Sequence, residues 1–332
     1  MKLPFTTIPV CVFEDREECA LGVKLLVLSA FRHEPRWLFH CVVKNFTPDD
    51  LEWLSNQPNV RLLSETTVDH SGWNVKPSLL KQLLLDSEGP VLWCDSDLIL
   101  ASPISPILDA VDSFVFVASE EHCWGRTKGS RLRTAGWGFQ ERRSLASTVN
   151  SSFMRMDISH IPLLDAWSEC LSRPSYLVAQ SQPWNFRPEY FIGDQDALTA
   201  LLASSEYAHV PLHLLRNGRD IAQCFEEDGY NIQDRLINSV LRRVPPLIHA
   251  QGGKPWKKSP RAIYQQLSPY NSVALPYVIG ASLPSGWIAA DGRWERLIDR
   301  ITLGGPNLRG FLPALRRTLL RVWKHRPVWL RL

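Results

Sequence analysis

Asp95 and Asp97 are two acids separated by one serine in "VLWCDSDLIL", where they close a continuous apolar run, residues 91–94. Such a run reads as a short strand buried on both faces, and its carboxyl end is where open α/β sheets bind ligands. Side chains two apart on an extended chain point the same way, so both carboxylates can face one divalent cation. The pattern alone is weak. A second copy, Asp194-Gln195-Asp196, shows how easily it arises, and acids after a strand are often only solvated.

A second segment, "LIHAQGGKPW", adds chemistry that the first lacks. Leu247 and Ile248 lead to His249 and then to Gly252, Gly253 and Lys254. Imidazole ligates metals, adjacent glycines let backbone amides approach an anion, and lysine supplies a point charge. A capped strand end with a tight Gly-Gly turn has the same spelling. Two carboxylates with one imidazole form a set of mixed hardness that suits Mn²⁺ somewhat better than Mg²⁺, although Mg²⁺ also fits. With Lys254 beside it, a metal there would make a concentrated positive site suited to a pyrophosphate.

These residues need a scaffold, and residues 8–118 supply its pattern. "IPVCVF", "WLFHCVV", "VRLLS", "PVLWC" and "FVFVAS" read as strands, with helix-like runs between them. Thr47 stands where it can cap a helix that Pro48 opens, with Asp49 and Asp50 in the first turn. The alternation predicts an α/β fold with a mixed, mostly parallel, Rossmann-like sheet flanked by helices. Residues 119–145 lose the period and are rich in Gly, Trp and basic residues, which predicts a functional loop. Trp124 and Trp137 lie on it. Order returns with "SSFMRMDI", "IPLLDAWSECL" and "DALTALLAS".

The 332 residues divide into an acidic body and a basic end. Residues 257–332 hold 13 Lys and Arg against 3 Asp and Glu, and the rest hold 24 against 31. We therefore expect a folded body over 1–256 and a basic C-terminal extension over 257–332. Within the extension, residues 306–332 carry seven basic residues and no acid. Phe311, Leu315, Leu319, Val322 and Trp323 recur there at helical steps. That pattern predicts a basic amphipathic helical tail on an anionic membrane surface, or a terminal helix docked on the body. No apolar run reaches the length of a membrane span, and no signal-peptide pattern opens the chain. Seven cysteines at irregular spacings form neither a disulfide framework nor a zinc pattern, so free thiols in a reducing cytoplasm are expected.

The ordered blocks "VLWCDSDLIL", "NSSFMRMD", "GDQDALTALL" and "HAQGGKPW" together resemble the family 8 retaining glycosyltransferases of the GT-A fold, over residues 8–256. That family includes glycogenin and the bacterial lipopolysaccharide galactosyl- and glucosyltransferases. The resemblance implies that Asp95, Asp97 and His249 hold Mn²⁺, which in turn holds the diphosphate of a nucleotide-sugar, usually UDP-linked. It implies diphosphate contacts from Gly252 and Lys254, a donor contact from Lys76, and donor-sugar contacts from Asn150, Asp194 and Gln195. On this resemblance 1–256 is the catalytic domain, and the acceptor would be a glycan or lipid-linked glycan met on the side of Trp124 and Trp137, at the inner face of the membrane, with no nucleic-acid partner.

The chain departs from the family pattern in three places. A single residue, Gly253, separates Gly252 from Lys254, so Gly253 is an alternative phosphate contact. Ser152 stands where glycine is usual and is expected to alter the room beside the donor sugar, and "VFEDREE" only loosely matches the family's uracil-binding segment. Gln195 is a poor nucleophile, so the expected chemistry is front-face transfer with retention, with Asp194 as the alternative nucleophile. Two rival expectations are a catalytically degenerate sugar-binding protein of the same fold and a haloacid-dehalogenase-type phosphatase. The phosphatase would carry its Asp-X-Asp on an early strand.

Overall fold

A computed structural model describes residues 7–63, 72–121, 129–224, 232–257 and 268–287, with Leu315 and Leu319. Its main sheet is built from β1 (Ile8–Glu14), β2 (Trp37–Val43), β3 (Val60–Leu62) and β4 (Val91–Cys94), then β6 (Phe116–Glu120), β7 (Val149–Met156) and β8 (Leu212–Leu215). The seven strands run in the order β3-β2-β1-β4-β7-β6-β8. Every pairing is parallel except the two made by β7. The α/β, mostly parallel sheet expected from the alternation is therefore present.

The helices form where the local signals place them. Thr47 caps α2 (Pro48–Ser55) by accepting from the Asp50 amide, with Pro48 in the first turn. The first predicted helix opens with a 3-10 turn at Glu17–Cys19 before α1 (Ala20–His33). On the other face, α3 (Lys76–Leu85) and α6 (Ile161–Leu171) cover the sheet, and α8 (Asp194–Ala203) packs beside them. β1 and β4 are apolar on both faces because helices bury them from both sides. One part of the aperiodic stretch 119–145 is ordered as α5 (Arg131–Gly136), after α4 (Ser105–Asp109) and β6.

A second, small sheet sets the site. β5 (Leu98–Leu100) pairs antiparallel with β10 (Leu247–His249), which pairs parallel with β9 (Ile221–Gln223). A third apolar cluster lies over it. There Tyr270, Ala274 and Val278 of α10 (Pro269–Gly280) meet Leu25 of α1, Ile99 of β5 and Ile248 of β10. Residues 268–287, which fall in the expected extension, thus share a core with the body. The tail 306–332 and Trp124 lie outside the described residues, apart from Leu315 and Leu319.

Candidate metal centre and donor cavity

The backbone between β4 and β5 differs from the extended chain that the sequence suggests. Residues 95–97 form a turn, closed by Leu98 donating to the Asp95 carbonyl at 3.1 Å. The chain leaves the main sheet at Cys94 and enters the small one at Leu98. In the β5–β10 register Leu98 faces His249, which puts the imidazole beside Asp97. Two segments more than 150 residues apart in sequence meet by that one pairing.

His249 Nε2 stands 3.1 Å from Asp97 Oδ1 and 4.0 Å from Asp95 Oδ2. One donor atom from each of Asp95, Asp97 and His249 lies within 4.8 Å of the others. The tautomer of His249 follows from its other nitrogen. Gln223 donates its Nε2 to the Glu120 carbonyl at 3.1 Å, which turns its Oε1 toward His249 Nδ1 at 2.6 Å. Nδ1 therefore carries a proton, and Nε2 is the atom offered to the two carboxylates. Two carboxylate oxygens and one oriented imidazole nitrogen fit a borderline divalent cation.

Positive charge surrounds the acids. Lys254 Nζ lies against Asp97 Oδ2 and donates to the Ala250 carbonyl at 3.0 Å. Burial would raise the Asp97 carboxyl, but Lys254 and His249 outweigh it and hold it well below the usual carboxylate range. The loop carrying Lys254 is pinned by Trp256, whose indole donates to the Glu18 carbonyl at 2.7 Å. The Trp256 ring sits so close to Gly22 on α1 that a Cβ there would lie 2.7 Å from it. Gly252, at φ 85°, makes the turn before Lys254.

A cavity of about 400 Å³ opens beside the acids, ordinary for a small-ligand site. Asp95, Asp97, His249, Gly252 and Lys254 line one part of it, and Lys76, Asn150, Asp194 and Gln195 another. All nine residues were expected from the sequence. The tenth, Gly253, is exposed and is not among the lining residues; of the two glycines, Gly252 faces the cavity. The end of β1 also contributes, through Phe13, Glu14, Asp15 and Arg16. Glu14 takes both Arg16 nitrogens at 2.7 and 2.8 Å and the Ser96 hydroxyl at 2.5 Å, so the "VFEDREE" segment is tied to the acid turn.

Lys76 is buried at the junction of these two parts. Its Nζ is 2.9 Å from Asp95 Oδ1, 2.9 Å from Ser151 Oγ and 3.5 Å from Asp194 Oδ2. Burial opposes its charge, but Asp194 and Asp95 outweigh burial and raise its pKa. Burial also raises the Asp194 carboxyl, and Lys76 offsets this only in part. Ser151 donates to Asp194 at 2.7 Å, and the Trp93 indole donates to Asp95 at 2.7 Å.

Several polar residues here escaped sequence reasoning. Glu121 Oε2 accepts from Asn150 and from Gln195, each at 2.6 Å, while its Oε1 accepts from Gln251 at 2.9 Å. Asn150 also donates to Gln195 Oε1 at 3.1 Å. Ser151 and Gln251 at least adjoin motif residues, but nothing in the sequence marks Gln223 or Glu121.

Two expectations need correction. Trp137 is buried in the core, edge-on to Phe191 at 4.6 Å, so it presents no ring to an acceptor. Ser152 is buried and does not line the cavity, so it takes no room from a donor. The phosphatase alternative needs Asp-X-Asp on an early strand, and here the motif follows β4.

No protein-family model matches the chain, and neither does any curated protein sequence. Solved structures do. The galactosyltransferase LgtC, in complex with donor and acceptor sugar analogs, is 14% identical, with a TM-score of 0.51 over 81% of this chain and 96% of its own. The fold is that of the GT-A glycosyltransferases. Mouse xyloside xylosyltransferase 1 is 13% identical, with a TM-score of 0.46 over 76% of this chain and 100% of its own. The bifunctional glycosyltransferase WbbM is 14% identical, with a TM-score of 0.48 over 78% of this chain, which spans only 48% of WbbM.

Proposed function

We propose that this protein is a metal-dependent, retaining family 8-type glycosyltransferase. On this reading it moves a hexose from a nucleotide-sugar, UDP-linked, to a glycan or glycolipid acceptor. The observation that carries the reading is the convergence of Asp95, Asp97 and His249 with Lys254 on a cavity that Asp194 and Gln195 also line. A diphosphate next to the first group would place its sugar against the second.

Asp95, Asp97 and His249 would hold the ion, Mn²⁺ or Mg²⁺, which when bound supplies Lewis-acid stabilisation of the diphosphate. The remaining work falls to side chains of the chain itself. Lys254 and the amides around Gly252 neutralise the departing diphosphate, while Phe13 to Arg16 border the space for the nucleoside. Glu121 and Asn150 fix the Gln195 amide against the sugar. An amide is a poor nucleophile, so a front-face attack on an oxocarbenium-like sugar is favoured, with retention at the anomeric carbon. Asp194, whose carboxyl is raised by burial, is the alternative nucleophile. An inverted anomeric product, read by NMR, would overturn this stereochemistry.

The basic extension fits a peripheral protein on the cytoplasmic membrane face, with residues 306–332 against anionic lipid. Deleting them is expected to weaken liposome binding, and unchanged binding would end that part of the reading.

Calorimetry of UDP with and without Mn²⁺, on the wild type and Asp97→Asn, tests the whole. The expected result is binding that needs Mn²⁺ and is lost in the variant. UDP binding indifferent to both would remove the central claim. Turnover against a panel of donors then separates an active transferase from a sugar-binding relative.

A further inference from the structure

The helix α9 (Ile232–Val240) is built inside out. Its buried face carries Asp234, Arg235 and Asn238, whereas Leu236, Ile237, Val240 and the following Leu241 are about half exposed or more, with Val240 at 81%. The exposed set recurs at three- and four-residue steps, a clean apolar stripe on the solvent side. A surface helix ordinarily shows the reverse arrangement.

The polar side is held specifically. Arg216 reaches Asp234 at 2.5 Å, and Asn238 donates to the Gly218 carbonyl at 2.7 Å. A Cβ on Gly218 would come within 2.6 Å of Asp234 Oδ2, so the helix lies directly on the turn between β8 and β9. Its far end is fixed as well. Leu241 donates to the Ile237 carbonyl at 2.9 Å, Arg243 to the Asn238 carbonyl at 3.0 Å, and Arg242 takes φ 49° to close the helix. The stripe is therefore a presented surface, not a frayed end.

We infer that this stripe is a membrane-contacting face, lying on a bilayer that contains anionic lipid. Charge selects that occupant. Arg242 and Arg243 follow the stripe directly, and no acid lies between Leu236 and Arg243. Asp220 and Asp234 are buried and already paired with Arg219 and Arg216. Glu226, Glu227 and Asp228 precede the helix in sequence. The chain's own residues 306–332, with seven basic residues and no acid, would meet these arginines with like charge. A second copy in two-fold contact would oppose arginines in the same way. Anionic headgroups suit both the stripe and its basic flank. Because stable peripheral attachment takes two weak signals, the stripe would act as a second contact beside the tail. The inference does not depend on glycosyl transfer.

The test is sedimentation of the full chain with phosphatidylcholine vesicles, with and without phosphatidylglycerol. The variants are Leu236→Gln/Ile237→Gln/Val240→Gln/Leu241→Gln and, separately, Arg242→Gln. Circular dichroism and thermal melting confirm that each is folded, which such exposed substitutions permit. The quadruple variant is expected to bind anionic vesicles at least about tenfold more weakly than the wild type. Arg242→Gln should lose about fivefold, and only on vesicles containing phosphatidylglycerol. Wild-type binding that is absent, or unchanged in the quadruple variant, would overturn the inference, even if deleting 306–332 abolished attachment. A wild-type dimer that the quadruple variant dissociates, with vesicle binding intact, would overturn it too and assign the stripe to a second copy.

Discussion

The chain spells Asp-X-Asp twice, and the two copies do different things. In Asp95-Ser96-Asp97 a tight turn between two sheets brings both carboxylates, with His249, around one point. In Asp194-Gln195-Asp196 the same spacing opens a helix and splits the pair. Asp194 lines the cavity, while Asp196 turns away, accepts from the Gly193 amide at 2.9 Å and pairs with buried Arg133 at 2.6 Å. Residue spacing sets which side chains are near one another; the backbone conformation decides whether they converge. One copy is built to gather charge and the other to divide labour between a cavity and a core.

Substitution should separate the two copies cleanly. Asp95→Asn and Asp97→Asn are each expected to weaken Mn²⁺-dependent UDP binding by about 100-fold or more, on the order of 3 kcal/mol, by calorimetry. Asp196→Asn should leave that binding nearly intact but remove the carboxylate charge that offsets buried Arg133, lowering stability by about 3 kcal/mol in urea denaturation. Equal loss of UDP binding in all three variants would erase the distinction.

A smaller effect tests how the first copy recruits its third member. Gln223→Leu removes the acceptor that fixes the His249 Nδ1 proton, and Mn²⁺ affinity measured by calorimetry should fall about 10-fold to 100-fold. Gln223→Glu, which keeps an acceptor at that atom, should retain most of it.

One acid from each copy, Asp97 and Asp194, lines the cavity and titrates in the opposite sense to the other. Asp97 is held low, so its contribution to stability is present above the unfolded carboxylate value and is lost as pH falls through its folded value. Asp194 is raised, so its contribution is present at low pH and is lost as pH rises from about 4 toward its folded value. The stability of wild type relative to Asp194→Asn should therefore decline with rising pH over that window, in urea melts at each pH. A rising difference would reverse the assignment.

The smallest expected effect concerns Ser152, which stands where the resembled family 8 pattern has glycine. Its hydroxyl is buried with no hydrogen-bond partner. Ser152→Ala should then stabilise the fold by about 1 kcal/mol and leave UDP binding unchanged.

Much of this site is legible in the amino-acid sequence. The buried strand ending in acids, the capped second helix, and the order of the four blocks all rest on local chemistry: continuous apolar runs, a threonine before a proline, and charges at fixed offsets. Those signals mark Asp95, Asp97, His249, Gly252 and Lys254, while Lys76, Asn150, Asp194 and Gln195 were expected only through the family resemblance; all nine line the cavity. What the chain does not show locally is which partners arrive from elsewhere. Glu121 is one acid in an aperiodic stretch, yet it collects the amides of Asn150, Gln195 and Gln251. Trp137 reads as a loop platform because its neighbours are polar and glycine-rich, but it packs against Phe191 and Tyr176.

By itself the sequence determined the sheet's alternation, the chemistry of each motif and the division between acidic body and basic end. Hydrophobic period and side-chain type are properties of a short stretch, and a short stretch is enough to read them. Only the tertiary structure decided that residues 95–97 turn rather than extend, and that the β5–β10 register sets His249 beside Asp97. It alone showed α9 turning its apolar side outward. Register, convergence and exposure belong to pairs of distant segments, and no single segment carries that information.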